Sequence, residues 1–220
     1  MKNLVILLVA LFTMACTTTP ETLWTMEEDS GKAVFTQSGN VMDITAPNGL
    51  TLWYNQPLKG DYRITYTAQM PMAGNPYQRL SDMNCFWGAV DPENPDDIFV
   101  RSAWRNGTFK NYNTLNLFYV GYGGNNNQTT RFRRYHGEYY GKIDSLIKPL
   151  LKEYTDPAHL LEAKKDYAIE IIVKGDLTTF TVNGEELFRH DLTPGMGDGW
   201  FGIRLWDTHI VVRDFKVEEL

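Results

Sequence analysis

The sequence predicts an all-β fold, an antiparallel two-sheet sandwich or jelly roll with one short helical connection. Apolar and polar side chains alternate along several short segments, most clearly at residues 62–67 and 167–173. Turn-forming dipeptides separate these segments, and the sequence contains no repeat of solenoid or propeller length. Many short strands joined by tight turns are typical of two packed sheets.

The C-terminal third has the plainest strand pattern. Asn183-Gly184 predicts a tight hairpin, because both residues tolerate the positive φ angles that such a turn requires. Strands are predicted, in chain order, at residues 50–54, 62–67, 167–173, 178–182, 185–188, 199–206 and 210–217.

A helical pattern occurs at residues 144–165. Apolar pairs recur there at Leu146/Ile147, Leu150/Leu151 and Leu160/Leu161. Asp156 and Pro157 suit the N-cap and first position of a short second helix, and Pro149 limits the length of the first. We therefore expect a helical connection that crosses over the sandwich.

The N-terminus has the pattern of an export signal. Lys2 supplies an early positive charge, residues 4–11 form an apolar stretch too short to span a bilayer, and a small residue precedes Cys16. A cysteine in this position resembles the lipobox of bacterial lipoproteins, which implies that Cys16 is lipidated. An ordinary cleaved secretory signal is the alternative, since Thr13 replaces the usual leucine of that motif.

These features predict three regions. Residues 1–15 are the signal peptide, residues 16–29 are the lipidated cysteine and a tether, and residues 30–220 are one β-sandwich domain. The predicted location is the cell envelope, with the chain lipid-anchored to a bacterial membrane and facing either the periplasm or the surface.

Composition and cysteine usage exclude several classes of function. The net charge of -6 argues against nucleic acid as a partner, because such binding needs a basic surface. Apart from Cys16, whose thiol is predicted to be lipidated, only Cys85 follows the predicted signal, so an intrachain disulfide is excluded from the mature chain. Its apolar neighbours indicate a buried structural thiol.

Several segments carry a family resemblance. Residues 180–188, 199–204 and 212–217 look like the end of a concanavalin A-like lectin/glucanase domain. Residues 82–87 and 119–135 resemble a YesU-like bacterial family of galectin-like sandwiches associated with rhamnogalacturonan utilisation. The resemblance covers most of residues 30–220. It implies a jelly roll with a carbohydrate role, but it brings no agreed reaction.

Residues 119–140 combine glycines, amides, arginines and tyrosines around His136. Amides and guanidinium groups make paired hydrogen bonds to sugar hydroxyls, and arginine also binds the carboxylate of a uronic acid. The alternative is a polar loop whose arginines balance nearby acidic residues. The predicted substrate-binding residues are Asn84, Trp87, Tyr119, Asn125, Arg131, Arg133, Arg134, Arg204, Trp206 and His209.

Tryptophans are candidates for stacking against a sugar ring, although each also suits a core. Trp87, Trp104 and Trp206 are the three candidates. Strand alternation places Arg204 and Trp206 on one face, which makes Trp206 the strongest of them.

The residues favour one type of catalysis over another. A glycosidase needs two carboxylates across the scissile bond, and no acidic strand motif of that kind occurs. A polysaccharide lyase needs a base and an acid beside a neutralised uronate, for which His136, Tyr135 and Tyr140 are the predicted catalytic residues. A non-catalytic carbohydrate-binding module is the alternative, and a protein-interaction lipoprotein is a third class.

The sequence gives little indication of a metal or cofactor. The four histidines lack ligand spacing, and no cysteine pair exists for zinc. Asp214 is a candidate ligand for structural calcium, but no calcium-loop motif surrounds it. We therefore expect no metal site and no cofactor.

Overall fold

Twelve antiparallel strands form the fold in the part of the chain that the computed structural model describes, residues 23–74 and 76–220. They are β1 (Trp24–Glu28), β2 (Val34–Ser38), β3 (Val41–Tyr54), β4 (Tyr62–Gln69), β5 (Met83–Val90), β6 (Asn116–Gly123), β7 (Thr129–Tyr135), β8 (Leu150–Tyr154), β9 (Asp166–Lys174), β10 (Leu177–Val182), β11 (Glu185–Asp191) and β12 (Trp200–Glu219). Short helical turns are α1 (Ser102–Arg105), α2 (Gly124–Asn127) and α3 (Asp144–Ile147), with 3-10 turns at Ile98–Arg101, Phe109–Thr114, Gly137–Tyr139 and Pro157–His159. The all-β antiparallel prediction is confirmed.

The strands form two sheets that share their two longest members, β3 and β12. The first sheet has the order β11-β10-β9-β4-β12-β3-β2, and the second has the order β8-β7-β6-β5-β12-β3-β1. β12 pairs with β5 through Trp200–Arg204 and with β4 through Val211–Glu219. The long strands therefore pass from one sheet into the other and join them.

Trp87 lies in the core between the two sheets. Its ring stacks on Phe118 and Phe132 of the second sheet, at 5.4 and 5.7 Å between centroids, and on Phe180 of the first sheet at 6.1 Å. Its indole nitrogen donates to Thr178 Oγ1 at 3.0 Å. The prediction that Trp87 contacts a ligand is therefore wrong, because strand alternation turns this side chain inward.

The connection between β7 and β9 is less helical than predicted. It contains the single turn α3, the edge strand β8 and the 3-10 turn Pro157–His159. Leu150 and Leu151, which suggested a helix face, are partly exposed, at 45% and 38%, on β8, which pairs with β7. The predicted cap is present, since the Asp156 side chain accepts a hydrogen bond from the backbone of Ala158 at 3.2 Å.

The two predicted closing strands are one strand, β12. The pairing of β12 with β3 shifts register between Trp206 and Thr208, and Asp207 has a φ of 46°. A β-bulge therefore accommodates the irregular sequence that suggested a break.

The folded domain begins before residue 30. Trp24 of β1 is buried and packs edge-on against Tyr54 and Phe215, at 5.6 and 4.8 Å between centroids. The predicted tether at residues 16–29 therefore extends too far, while the predicted signal peptide and Cys16 lie outside the described residues. None of the helices in the described ranges is long and apolar enough to cross a membrane.

The segment between β5 and β6 folds over part of the outer face of the second sheet. We call residues 91–115 the cap. Its apolar side chains pack with outer-face residues in a second cluster, which contains Trp53, Phe86, Ile98, Tyr112, Leu115, Leu117, Tyr119 and Trp200.

A buried ion pair fastens the cap to β1. Arg105 Nη2 lies 2.6 Å from Glu27 Oε1, and both side chains are fully buried. Tyr112 Oη donates to Glu27 Oε2 at 2.6 Å, and Arg105 Nη2 donates to the carbonyl of Ile98 at 2.6 Å. Because an unpaired buried charge is costly, each partner depends on the other.

We expect Glu27→Leu to lower the free energy of unfolding by about 3–5 kcal/mol, because Arg105 is left buried without its counter-charge. The double variant Glu27→Leu/Arg105→Leu should recover much of this loss, since an apolar pair can replace a buried ion pair. Urea denaturation measures both. Arg189→Ala, which breaks an exposed pair with Glu186, is the control and should have little effect. An equally small effect of Glu27→Leu would contradict the proposed role of the pair.

His159 joins the turn after β8 to β11. Its Nδ1 lies 2.8 Å from Asp156 Oδ1, its Nε2 lies 3.2 Å from Glu185 Oε1, and its ring stacks on Tyr154 at 3.9 Å between centroids. Burial alone would lower the pKa of His159, but the hydrogen bonds to both carboxylates outweigh burial and raise it.

Because the pKa of His159 is raised on folding, its charge stabilises the fold fully below the unfolded pKa of about 6.5. This contribution is lost as the pH rises through the folded pKa. We expect His159→Gln to lower the free energy of unfolding more near pH 5.5 than near pH 8.5, as measured by urea denaturation. Equal losses at the two pH values would show that the charge of His159 does not stabilise the fold.

Candidate functional site

An open trough lies on the outer face of the second sheet, beside the cap. It consists of two joined depressions of about 290 and 230 Å³, which share Asp82, Phe109 and Tyr119. The larger depression, which we call the basic end, is also lined by Gly121, Gly124, Asn125, Thr129, Arg131, Arg133, Tyr135, Asp144 and Lys148. The smaller depression, which we call the aromatic end, is also lined by Asn84, Arg204 and Trp206.

Strand register places several of these residues in one row across the trough. Arg204 of β12 pairs with Asn84 of β5, and Asn84 pairs with Gly121 of β6. Gly121 pairs in turn with Arg131 of β7. Three strand spacings separate the two arginines of this row, which is roughly 14 Å between their Cα atoms. The row therefore spans both ends of the trough.

Gly121 makes room for Tyr119 on the floor of the trough. A Cβ atom built on Gly121 would lie 2.6 Å from Tyr119 Oη, well inside van der Waals contact. The phenol ring therefore lies along the strand over this glycine. Tyr135 meets the same ring edge-on at 5.8 Å between centroids.

Arg133 and Arg204 have no carboxylate partner within the described ranges. Arg133 Nη1 donates to the carbonyl of Lys148 at 2.7 Å, and Arg204 Nη1 donates to the carbonyl of Gly107 at 2.6 Å. Burial lowers the pKa of Arg204, but a guanidinium group remains protonated at neutral pH. The trough therefore holds two positive charges that no carboxylate of the described ranges pairs with directly.

Tyr119 and Tyr135 present protonated hydroxyl groups between these cations. Burial raises the pKa of both residues well above the ordinary value, although Arg133 and Arg204 oppose the shift. Neither hydroxyl makes a hydrogen bond to any other described residue. Both groups are therefore available to donate to a ligand, and neither is suited to act as a base.

The remaining charged groups of the trough are paired. Arg131 bonds Glu153, and Lys148 Nζ lies 3.2 Å from Asp144 Oδ2. Asp82 bonds Arg79, a residue from the loop before β5. Each of these pairs joins one cation to one carboxylate and so has no net charge. The net positive charge of the trough therefore comes from the two arginines without a carboxylate partner, Arg133 and Arg204.

Trp206 forms the exposed rim of the aromatic end. Its side chain is 49% exposed, and it lies on the same face as Arg204, as the alternation predicted. The guanidinium carbon of Arg79 lies 4.5 Å from the ring centroid, and Arg79 Nη2 donates to the carbonyl of Trp206 at 2.9 Å. This contact holds the ring in place and occupies one of its faces.

The structure brings most of the residues predicted from the sequence into the trough. Those that line it are Asn84, Tyr119, Asn125, Arg131, Arg133, Tyr135, Arg204 and Trp206. Asn125 lies in the left-handed turn α2, where it and the two asparagines that follow all have positive φ. Asparagine tolerates this conformation better than most residues, which explains the amide-rich sequence.

Besides Trp87, two predicted ligand-binding residues lie elsewhere. Arg134 points into the sandwich, 4.8 Å from the Phe118 ring, and burial lowers its pKa to about 10. His209 is largely buried, with Nε2 3.0 Å from Asp43 Oδ1 and Nδ1 3.3 Å from Gln78 Nε2. Neither lines the trough, so both predictions are wrong. Arg134 alternates with Arg133 and Tyr135, and the pleat sends it to the opposite face.

The predicted catalytic set is not assembled. Tyr135 lines the trough, but His136 follows the end of β7 and pairs with Glu138 at 3.4 Å. Tyr140 is exposed and packs edge-on against Trp104 of the cap at 6.4 Å between centroids. His136, Tyr140 and Trp104 therefore lie outside both ends of the trough. For His136 and Tyr140 the reason is that the chain leaves the sheet after Tyr135.

Sequence reasoning missed seven residues that line the trough, Asp82, Phe109, Gly121, Gly124, Thr129, Asp144 and Lys148. Asp82 lies within a segment that carried the family resemblance, so it had a detectable signal. Phe109 and Lys148 come from the cap and from the connection after α3, and only the folded arrangement places them at the trough.

Neither metal chemistry nor thiol chemistry is evident in the described ranges. No group of three or more potential metal ligands occurs there. Asp214, the calcium candidate, accepts a hydrogen bond from Asn40 instead. Cys85 is buried as expected, and burial raises the pKa of its thiol to about 12.

We expect Gly121→Ala to displace the Tyr119 ring from the floor of the trough, because the added methyl group would overlap its hydroxyl. Overpacking of this kind costs roughly 1–3 kcal/mol of unfolding free energy. Thermal denaturation and a crystal structure of the variant test this. Gly121→Ala/Tyr119→Phe is the matched variant, and it should recover part of the loss by removing the overlapping oxygen. An unmoved Tyr119 ring in Gly121→Ala would refute the proposed steric relation.

Solved structures with similar folds exist. A protein of unknown function with a galectin-like fold from Bacillus subtilis aligns with a TM-score of 0.64 at 17% identity, over 89% of each chain. The carbohydrate-binding module CBM66 from Bacillus subtilis aligns with a TM-score of 0.54 at 12% identity, over 90% of this chain and 96% of that one. An endo-β-1,3-glucanase from Pyrococcus furiosus gives 0.54 at 11% identity, over 92% and 90%. At these identities the likeness shows the fold alone.

The predicted likeness to galectin-like sandwiches is thus confirmed at the level of the fold. No curated protein matches the sequence. One family model, described as a domain of unknown function, DUF6250, matches residues 44–215, which include most of β3 and extend into β12. This match covers most of the chain and all the strands that line the trough. The chain therefore belongs to the DUF6250 family.

Proposed function

We propose that this protein binds an acidic polysaccharide or oligosaccharide in the trough. The observation that carries the proposal is the guanidinium group of Arg133, which lines the basic end without a carboxylate partner from the described chain, while the buried Arg204 adds a second positive charge to the trough. A guanidinium group binds a carboxylate through two parallel hydrogen bonds, which gives both affinity and orientation. The free hydroxyls of Tyr119 and Tyr135 add donors beside these charges.

The shape of the trough also supports a sugar ligand. An open depression with an exposed tryptophan at its rim suits a chain of flat, hydroxyl-rich rings. The structural likeness to a module named as carbohydrate-binding agrees with this function. The resemblance to YesU-like proteins favours a pectin or rhamnogalacturonan type of glycan as the ligand.

The chain would act outside the cytoplasm. The lipobox-like sequence before Cys16 supports a lipid anchor in the cell envelope, where the domain would hold a glycan near a bacterial membrane. Metabolic labelling with a fatty acid, compared between the wild type and Cys16→Ala, tests this anchor. Equal labelling of the two proteins would argue against it.

Binding without turnover is the function that the trough supports best. A lyase needs a base to remove the proton beside the uronate carboxylate. Among the described residues no histidine lines the trough, both tyrosines hold their protons, and Asp82 and Asp144 are paired with cations. Absorbance of an unsaturated product, measured with uronate-containing glycans, would reveal β-elimination and overturn this preference.

We expect Arg133→Met to weaken the binding of an acidic glycan by about tenfold or more, because a hydrogen bond to a charged group contributes roughly 1.5–3 kcal/mol. Isothermal titration calorimetry with oligogalacturonides measures the affinity. Arg189→Met, an exposed arginine on β11 far along the other sheet, is the matched control and should bind as the wild type does.

Two results would count against the proposal. Wild-type protein that binds none of the acidic glycans would remove its basis, and the protein-interaction class would then be favoured. Equal weakening by Arg133→Met and Arg189→Met would show that binding depends on overall charge and not on the trough.

A further inference from the structure

We infer that the two ends of the trough are subsites of different chemistry, and that the ligand is an oligosaccharide in which an acidic sugar is linked to a neutral one. This inference rests on the proposed function, because it assigns the parts of the same trough. It is carried by the distribution of hydrogen-bond donors and acceptors along the floor.

The basic end is rich in donors. Arg133 has no carboxylate partner, and the hydroxyl of Tyr135 makes no hydrogen bond within the described ranges. Arg131 and Lys148 lie on either side, each held by one carboxylate. A carboxylate ligand is the natural complement of such a surface, because it accepts hydrogen bonds and carries the opposite charge.

The aromatic end presents acceptors. Asn84 is only 6% exposed, and its Oδ1 atom is buried without a hydrogen-bond donor. Its Nδ2 atom donates to Asp82 Oδ1 at 3.3 Å. This bond sets the orientation of the Asn84 amide and leaves Asn84 Oδ1 as the atom without a partner. An unsatisfied buried acceptor carries an energetic penalty, which a donor from a ligand would remove.

A carboxylate would be disfavoured at the aromatic end. It would face the oxygen of Asn84, which only this end presents, and the carboxylate of Asp82, which borders both ends, and both groups can only accept hydrogen bonds. Arg204 lies nearby, but the residue is only 2% exposed and already donates to the carbonyl of Gly107. A sugar hydroxyl can donate to both acceptors, and Trp206 offers an apolar surface for the ring. This end therefore fits a neutral sugar.

The spacing of the two ends requires more than one sugar. Arg204 and Arg131 lie at opposite ends of one row across four strands, roughly 14 Å apart at Cα. A single sugar ring cannot contact both ends. Phe109 and Tyr119 line both depressions and so lie where the linkage between the two sugars would pass.

Calorimetric titration of three disaccharides tests the inference. The probes are digalacturonic acid, a neutral disaccharide such as cellobiose, and an aldobiouronic acid that joins one uronic acid to one neutral sugar. We expect wild-type protein to bind the aldobiouronic acid about tenfold more tightly than digalacturonic acid, which corresponds to about 1.4 kcal/mol. The neutral disaccharide should bind most weakly.

Variants then assign the ends. Trp206→Ala, at an exposed position, should weaken aldobiouronic acid binding severalfold more than it weakens digalacturonic acid binding. Asn84→Leu should have the same selective effect, and thermal denaturation checks that this buried change leaves the protein folded. Arg133→Met should weaken both acidic ligands together.

The outcomes distinguish failure of the inference from failure of the proposed function. Digalacturonic acid that binds as tightly as the aldobiouronic acid, with equal loss in Trp206→Ala, would overturn the two subsites while leaving acidic-glycan binding intact. Wild-type protein that binds none of the probes, including longer acidic glycans, would overturn both.

Discussion

The buried ion pair between Glu27 and Arg105 determines how much of the second sheet remains open. Both charges are out of contact with water, so they are tolerated only because each satisfies the other and because Tyr112 and a backbone carbonyl add further hydrogen bonds. The pair holds the cap against β1, at one side of the outer face. The cap then provides the carbonyl of Gly107 that positions Arg204, and it provides Phe109 as a wall of the trough. The geometry of the candidate site therefore depends on an electrostatic contact that lies outside it.

The trough itself is built on regular strands, which gives its side chains fixed positions. Residues from β5, β6, β7 and β12 lie in register, so the distances between them follow from strand spacing and not from the conformation of a loop. Rigid placement reduces the entropy that a binding site loses when it takes up a ligand. The irregular contributions come from α2, the cap and Lys148, and these lie around the floor.

Much of the fold could be predicted because local patterns decide it. Alternation along β4 and β9 and the Asn183-Gly184 turn specify strands and a hairpin without reference to the rest of the chain. Alternation also predicted the common face of Arg204 and Trp206. It could not say which face of β5 or β7 is the core, so Trp87 and Arg134 were assigned to the wrong side. The apolar pair Leu150 and Leu151 fits the spacing of a helix face. The strand β8 forms instead because it pairs with β7, and a local pattern contains no information on that pairing.

The bulge at Asp207 means that the number of residues in β12 determines which of its side chains face the core. Before the bulge the even-numbered positions face the trough, as Arg204 and Trp206 do, and after it the even-numbered positions Ile210 and Val212 lie in the core. An insertion or deletion of one residue at the bulge would turn the core side chains of one half of the strand to the outer face, and the outer-face side chains to the core. A change of length in this central strand would therefore separate Arg204 and Trp206 from the core that supports them, whereas a substitution leaves the register intact.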